Sequence, residues 1–254
     1  MAILETKELG ITFDGLVALQ NVNFAAEEGK ITAVIGPNGA GKTTFFNLIA
    51  GFYTPTNGTV RLKGENITKL KAHQRAAVGI ARTFQNINLF KDMSVMDNAL
   101  VGMHCKSKSN VLSCMFRTPG EQREEHAIRE EVMENLRFMG LAGYAEEKAG
   151  SLSYGMQKNL EIARALALKP EVLLLDEPAS GLNTQDLETL SKRILEIRNR
   201  GITVVLIEHK MDVVMSISDH IAVLNFGEKI ADGTPEEIRS NPLVIEAYLG
   251  KEDE

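Results

Sequence analysis

The chain has 254 residues, 44% of them apolar, enough to bury a sizeable core as one large domain or as a domain with a subdomain. A net charge of −6 and a pI near 5.5, with Lys and Arg scattered, argue against a nucleic-acid footprint spread over the surface. The start lacks a basic segment followed by an apolar one, and no apolar run approaches the roughly 18 residues that cross a bilayer, so work at a membrane requires a partner.

In chain order, Ile11-Thr12-Phe13 and Val22-Asn23-Phe24 flank Asp14-Gly15 and read as antiparallel strands. Phe13 stands in a polar, turn-flanked setting, where it presents a ring to a base or packs in the core. The apolar run Ile31 to Ile35 then leads into Gly36-Pro37-Asn38-Gly39-Ala40-Gly41-Lys42-Thr43-Thr44 and a helix that starts near Lys42. This is the phosphate-loop pattern in its expected place between a buried strand and a helix. Its glycines let backbone N–H groups face phosphate oxygens at the positive end of the helix. In that geometry Lys42 reaches the β- and γ-phosphates and the Thr43 hydroxyl holds Mg²⁺.

A turn cluster around Pro55, Asn57 and Gly58 leads to a strand at Thr59 to Leu62. From about residue 86 to 155 the texture changes, with helices predicted at Ser94 to Met103 and Glu121 to Met139 and a polar surface excursion between them. The only cysteines, Cys105 and Cys114, lie near His104 and His126; the spacing matches no zinc pattern, and two reduced thiols is the plainer reading. Leu152-Ser153-Tyr154-Gly155 precedes a helix predicted from Met156 to Leu168, where Ser153 caps the helix or, near a phosphate, helps form an anion site.

Val172 to Leu175 reads as a strand buried on both faces that ends in Asp176-Glu177-Pro178, where two adjacent acids are costly unless used. Ligands of open α/β sheets sit beyond the carboxyl ends of strands, which puts both acids beside the phosphate loop. Neighbouring strand side chains point to opposite sides, so Asp176 and Glu177 are expected to face different ways. A helix follows over Asn183 to Arg200, its late bases Lys192, Arg193, Arg198 and Arg200 read as solvated complements of the dipole. A third buried run, Ile202 to Ile207, ends in Glu208-His209, and an imidazole there can meet a phosphate or an attacking water. Strands at Ile221 to Asn225 and Lys229 to Ala231, a short helix near Pro235 to Arg239 and a polar tail, Lys251 to Glu254, complete the chain.

This ordered set resembles the ATP-binding subunits of ABC transporters across essentially the whole chain. Residues 36–44 are similar to the family's phosphate loop, Phe13 to its adenine-stacking aromatic, Gln85 in Arg82-Thr83-Phe84-Gln85 to the Q-loop glutamine, and Leu152 to Met156 to the signature. Leu173 to Glu177 resembles the Walker B strand, Ser180 to Asn183 the D-loop and His209 the switch histidine. Tyr154 and Asn183 depart from the commonest pattern, and both are similar to what the LivG-type importer ATPases for branched-chain amino acids carry. Gly51-Phe52-Tyr53, the insert at 104–126 and the ending from Asn241 to Gly250 extend that likeness.

The resemblance implies an α/β P-loop NTPase core, mostly parallel with helices on both faces, plus an N-terminal antiparallel β subdomain and an inserted helical subdomain. One ABC domain spans 1–254, with the nucleotide-binding core at 1–85 and 156–254 and the helical subdomain at 86–155. It further implies catalysis by Glu177, His209, Gln85 and Lys42, Mg²⁺ held by Thr43, Gln85 and Asp176, and Ser153 and Gly155 set against the nucleotide of a second ATP-binding subunit. The implied ligands are ATP and Mg²⁺. The implied partners are membrane permease subunits at the cytoplasmic face and, indirectly, an extracytoplasmic substrate-binding protein, with no nucleic acid. An exporter ATPase of the lipopolysaccharide type and a non-transport switch protein are the alternatives.

Overall fold

The computed structural model describes residues 1–105 and 119–249. Cys114, most of the polar excursion, Gly250 and the tail at 251–254 lie outside them, as do the side chains of His104 and Cys105. His126 lies on an exposed helix face with Glu130 at 3.5 Å.

Two strands of 12 residues, β1 (Ala2–Phe13) and β2 (Leu16–Glu27), pair antiparallel across Asp14-Gly15. Both turn residues are left-handed, at φ 44° and 90°, which matches the twist of the flanking strands. β4 (Asn57–Leu62) joins the free edge of β1, and the short β5 (Glu65–Asn66) follows, giving the order β2-β1-β4-β5.

The second sheet has six strands in the order β10-β9-β3-β8-β7-β6. Its centre, β3 (Ile31–Ile35), β8 (Thr203–Ile207) and β7 (Val172–Asp176), is buried along its whole length, as their largely apolar runs lead one to expect. β6 (Ile80–Arg82) and β9 (His220–Asn225) extend it in parallel, and β10 (Glu228–Gly233) closes it antiparallel to β9. Alternate residues feed two cores: Ile31, Ala33, Leu173, Leu175, Val204 and Leu206 point to one face, while Val34, Val172, Leu174, Val205 and Ile207 point to the other.

On the second face lie the antiparallel sheet and α1 (Lys42–Ala50), with the rings of Phe24 and Phe45 edge-on at 5.2 Å. α2 (Ala72–Ala77), too short for a periodic signal, went unassigned in the sequence, yet it carries the buried Arg75. That guanidinium donates to the carbonyls of Leu48 at 2.5 Å and Ile49 at 2.6 Å, the last turn of α1, and to Thr68 and Leu70 at 2.9 and 3.0 Å. Arg75 thus satisfies carbonyls that a helix end leaves without partners. Burial pulls it down to about 10.

The other face is covered by α3 (Val95–Val101), α4 (Pro119–Phe138), α5 (Tyr154–Ala167), α6 (Thr184–Asn199), α7 (Met211–Ile217), α8 (Pro235–Arg239) and α9 (Pro242–Leu249). Met96 of α3, Leu136 of α4 and Leu160 of α5 belong to the same apolar cluster as the sheet. The helices of the region predicted as a subdomain therefore reach the sheet through α5. The late bases of α6 are not simply solvated: Arg198 meets Asp219 at 3.3 Å, and the Arg200 guanidinium lies 3.5 Å from the centre of the Phe138 ring. Asp219 also accepts the Ile31 N–H at 2.8 Å, so that pair fixes the start of β3.

Candidate active site

The chain leaves β3 at Gly36 (φ 151°), where a Cβ would run into the Leu224 carbonyl oxygen. At Gly41 (φ 97°), the N-cap of α1, a Cβ would come within 2.8 Å of the Leu19 side chain. The loop between them is closed by the Ala40 N–H on the Pro37 carbonyl at 3.2 Å, and the first turn of α1 carries no acid, leaving its N-terminal field uncompensated. Lys42 is 7% exposed and donates to the carbonyls of Gly36 at 2.7 Å and Pro37 at 2.8 Å. Burial pulls its ammonium below the ordinary lysine value, against the opposing pull of Glu177 and Asp176.

Three neighbouring parallel strands deliver the remaining groups. Glu177 follows β7, and its carboxylate is held on both sides: Oε2 accepts from Gln85 Nε2 at 2.9 Å, and Oε1 meets His209 Nε2 at 2.8 Å. Its backbone is left-handed at φ 48°, a strained conformation for glutamate before Pro178. Asp176 meets Arg82 while Glu177 meets Gln85 and His209, and because β7 ends at Asp176 the direction of Glu177 is set by its strained backbone and not by strand alternation alone. Asp176 is 2% exposed, with Oδ2 at 2.7 Å from Arg82 and a buried Oδ1 that has no hydrogen-bond partner among the described residues.

A cavity of about 570 Å³ brings together residues 38–44, Gln85, Glu177 and His209, with Leu16, Val17, Ala18 and Phe226 as its apolar wall. A second, of about 410 Å³, is lined by Thr43, Gln85 and Asp176 together with Arg82. Thr43, Gln85 and Asp176 supply only oxygen donors, and the partnerless Asp176 Oδ1 is an acceptor suited to a hydrated Mg²⁺. Of the predicted residues, Gly36, Pro37, Asp176, Phe13, Ser153 and Gly155 do not line the first cavity. Phe13 is half-exposed with its ring edge-on to Tyr53 at 5.3 Å. Ser153 caps α5 by accepting the Met156 N–H at 3.4 Å, while Tyr154 rests on Gly181 and Gly155 abuts the Asp186 carboxylate.

Four charged groups behind the site were not singled out in the sequence. Arg82, besides holding Asp176, donates to Asn47 Oδ1 at 2.6 Å and lies 5.3 to 5.9 Å from the ring centres of Phe84, Phe52 and Phe46. Glu208 accepts the Ala179 N–H at 2.6 Å and the His209 N–H at 3.1 Å, tying the segment after Glu177 to the histidine; burial pushes its carboxyl up. On α5, Lys158 donates to the Gln85 carbonyl at 2.8 Å and Glu161 accepts the Phe84 N–H at 3.3 Å. Burial pulls Lys158 down and pushes Glu161 up, each effect partly offset by the other's charge. The signal for these was an acid or base inside an apolar helix face or at a strand end, but burial decides its meaning.

Comparison with known proteins agrees with this geometry. The family model described as ABC transporter matches residues 19–180, and one described as Branched-chain amino acid ATP-binding cassette transporter matches 228–254. The chain is 48% identical over 250 residues to BraF of Pseudomonas aeruginosa, a high-affinity branched-chain amino acid transport ATP-binding protein, covering 98% of each. To the LivG protein of Escherichia coli, of the same description, it is 44% identical with the same coverage. Among solved structures, a nucleotide-free ATP-binding cassette from an ABC transporter superposes with a TM-score of 0.86 at 34% identity, over 99% of this chain and all of that one. The ADP conformation of an ATP-binding cassette gives 0.85 at 33%, with the same coverage. A dimeric post-hydrolysis cassette bound to ADP and Pi gives 0.77 at 26%, over 91% of this chain and 98% of that one. Its phosphate loop, its strand-end carboxylates and these relatives together place the chain in the ABC transporter family, as an ATP-hydrolysing ATP-binding subunit.

Proposed function

We propose that this chain powers a branched-chain amino acid importer from the cytoplasmic face of the membrane, as the ATPase docked on permease subunits. The observation that carries the catalytic part is the clamping of Glu177 between Gln85 and His209 in the lining of the phosphate-loop cavity. The importer assignment rests on BraF and LivG, proteins named for that transport that match 98% of the chain. No helix among the described residues is long and apolar enough to cross a membrane, so the permease supplies attachment. The exporter and switch alternatives have no observation in their favour.

Phosphoryl transfer needs positioning and charge neutralisation more than covalent help. In this reading the amides of residues 38–44 and Lys42 cradle the β- and γ-phosphates. Thr43, Gln85 and Asp176 would hold Mg²⁺, which would supply Lewis-acid neutralisation of phosphate charge. Glu177 orients and deprotonates the attacking water, and His209 contacts the γ-phosphate and steadies that carboxylate. Phe13 is the proposed aromatic on the base side. Ser153 and Gly155, which do not line this chain's own cavity, close on the nucleotide of a second ATP-binding subunit, so hydrolysis requires a dimer. An extracytoplasmic binding protein delivers the amino acid to the permease. The test is ATP-dependent leucine uptake by vesicles that carry the permease, loaded with binding protein on one side and with this chain and the second ATP-binding subunit on the other. Uptake of leucine, isoleucine and valine supports the proposal; ATP turnover coupled to none of them refutes it.

A further inference from the structure

Three two-residue turns of one type occur among the described residues, at Asp14-Gly15, Lys63-Gly64 and Phe226-Gly227, each with both residues left-handed. Such turns favour Asn, Asp or Gly at the first position, because a side chain there is crowded against the backbone. Asp14 and Lys63 are polar. Phe226 is a bare aromatic at φ 44° with 88% of its surface exposed, more than any other large apolar residue described except Met1. Both features are unfavourable, and packing explains neither.

The turn is nevertheless held firmly. The Gly227 N–H donates to the Ala40 carbonyl in the phosphate loop at 3.1 Å, and the Gly227 carbonyl accepts the Gln20 N–H of β2 at 2.8 Å. A Cβ at Gly227 would come within 2.7 Å of the Ala18 carbonyl oxygen, so this turn sits tightly on the strand that forms the cavity wall. Phe226 is the only aromatic lining that cavity among the described residues, beside the exposed Leu16 and Val17. The cavity lining divides between the phosphate loop with Lys42 and the apolar side chains of Leu16, Val17, Ala18 and Phe226. A nucleoside triphosphate has the same division, and its purine offers the flat face a phenyl ring prefers. Phe13, engaged edge-on with Tyr53, lies outside this lining.

We infer that Phe226 contacts the base of the nucleotide whose phosphates lie on residues 38–44, and that the strained turn exists to present its ring there. The inference rests on the proposed ATP site and adds a base-binding residue to it. Two substitutions test it.

Phe226→Asn removes the ring and places a residue suited to the left-handed backbone, so the variant should be at least as stable as the parent on thermal unfolding. Its Kd for ATP should rise about 2- to 10-fold, the equivalent of losing one ring–ring contact, while its Kd for Mg-tripolyphosphate stays unchanged. A purely structural role would move stability and both affinities together. Unchanged ATP affinity overturns the inference but leaves the site assignment standing, whereas failure of the parent to bind either ligand overturns both.

The chain has no tryptophan, so Phe226→Trp introduces a single reporter. ATP should quench its emission and tripolyphosphate should not. Quenching that instead follows protein concentration without nucleotide would mean that a second copy covers the ring, and would overturn the inference.

Discussion

Replacing Lys158 tests whether α5 holds Gln85 in place. Lys158 is 3% exposed, and its ammonium makes a 2.8 Å bond to the Gln85 carbonyl, whose side chain in turn meets Glu177. Lys158→Met keeps the length and apolar stem of the side chain, so the expected loss is the charge-assisted hydrogen bond and not a cavity. Such bonds contribute about 1.5 to 3 kcal/mol. At about 1.4 kcal/mol per decade, detachment of residues 83–88 from α5 becomes roughly ten to a hundred times more frequent. Arg164, 4.0 Å from Glu161, remains to compensate that carboxylate, which limits damage to the helix itself. The expected outcome is a kcat lowered about tenfold or more, a KM for ATP within about twofold of the parent, and faster amide exchange confined to residues 83–88. Steady-state kinetics with the partner subunit and native-state exchange read both. Parental kcat with parental exchange would refute the anchoring role, and so would uniform acceleration across the chain.

Three further outcomes follow. Arg75→Lys cannot satisfy the four carbonyls that the planar guanidinium meets, and should lower stability by about 2 to 3 kcal/mol in denaturant titration; a change below about 0.5 kcal/mol would contradict its capping role. Burial raises Glu161 above its ordinary value of 4.5, so its contribution to stability is fullest at acid pH and is lost as pH rises through the folded-state value. Glu161→Gln should therefore gain relative to the parent as pH rises above 4.5 through the folded-state value, and a difference that stays flat with pH would remove the claim. Phe13→Ala should weaken ATP binding several-fold while Phe13→Tyr leaves it intact; no effect of either would leave the base to Phe226.

The parts of this molecule that were legible in the sequence are those written locally. The phosphate loop needs its glycines and its Lys-Thr pair within nine residues, and the unbroken apolar runs before Gly36, Asp176 and Glu208 can be satisfied only in a sheet covered on both faces. That sheet in turn brings Gln85, Glu177 and His209 to one edge. What escaped is written between distant segments. Lys158 and Glu161 occupy the same helix as the apolar stripe of Leu160 and Ala163, and nothing in the spacing says that residues 84–85 will cover them. Arg82 was visible beside Gln85, but its cage of three rings gathers α1, the following turn and β6. α2 and β6 are too short for any period to emerge. The Asp14-Gly15 turn was legible, but which ring its neighbourhood offers to the cavity depends on how the β9–β10 turn sits on the phosphate loop.

The central claim, that Glu177 carries out hydrolysis while Asp176 serves the metal, is tested most directly by Glu177→Gln beside Asp176→Asn, with Mg-ATP and the second ATP-binding subunit present. Glu177→Gln keeps size and hydrogen bonding to Gln85 and His209 but removes the charge that orients and deprotonates water. ATP should stay bound, turnover should fall by about 10² to 10⁴, and the closed dimer should accumulate. Asp176→Asn should instead lose Mg²⁺-dependent binding without trapping a dimer. Parental hydrolysis in Glu177→Gln, or a trapped ATP dimer in Asp176→Asn, would contradict the assignment.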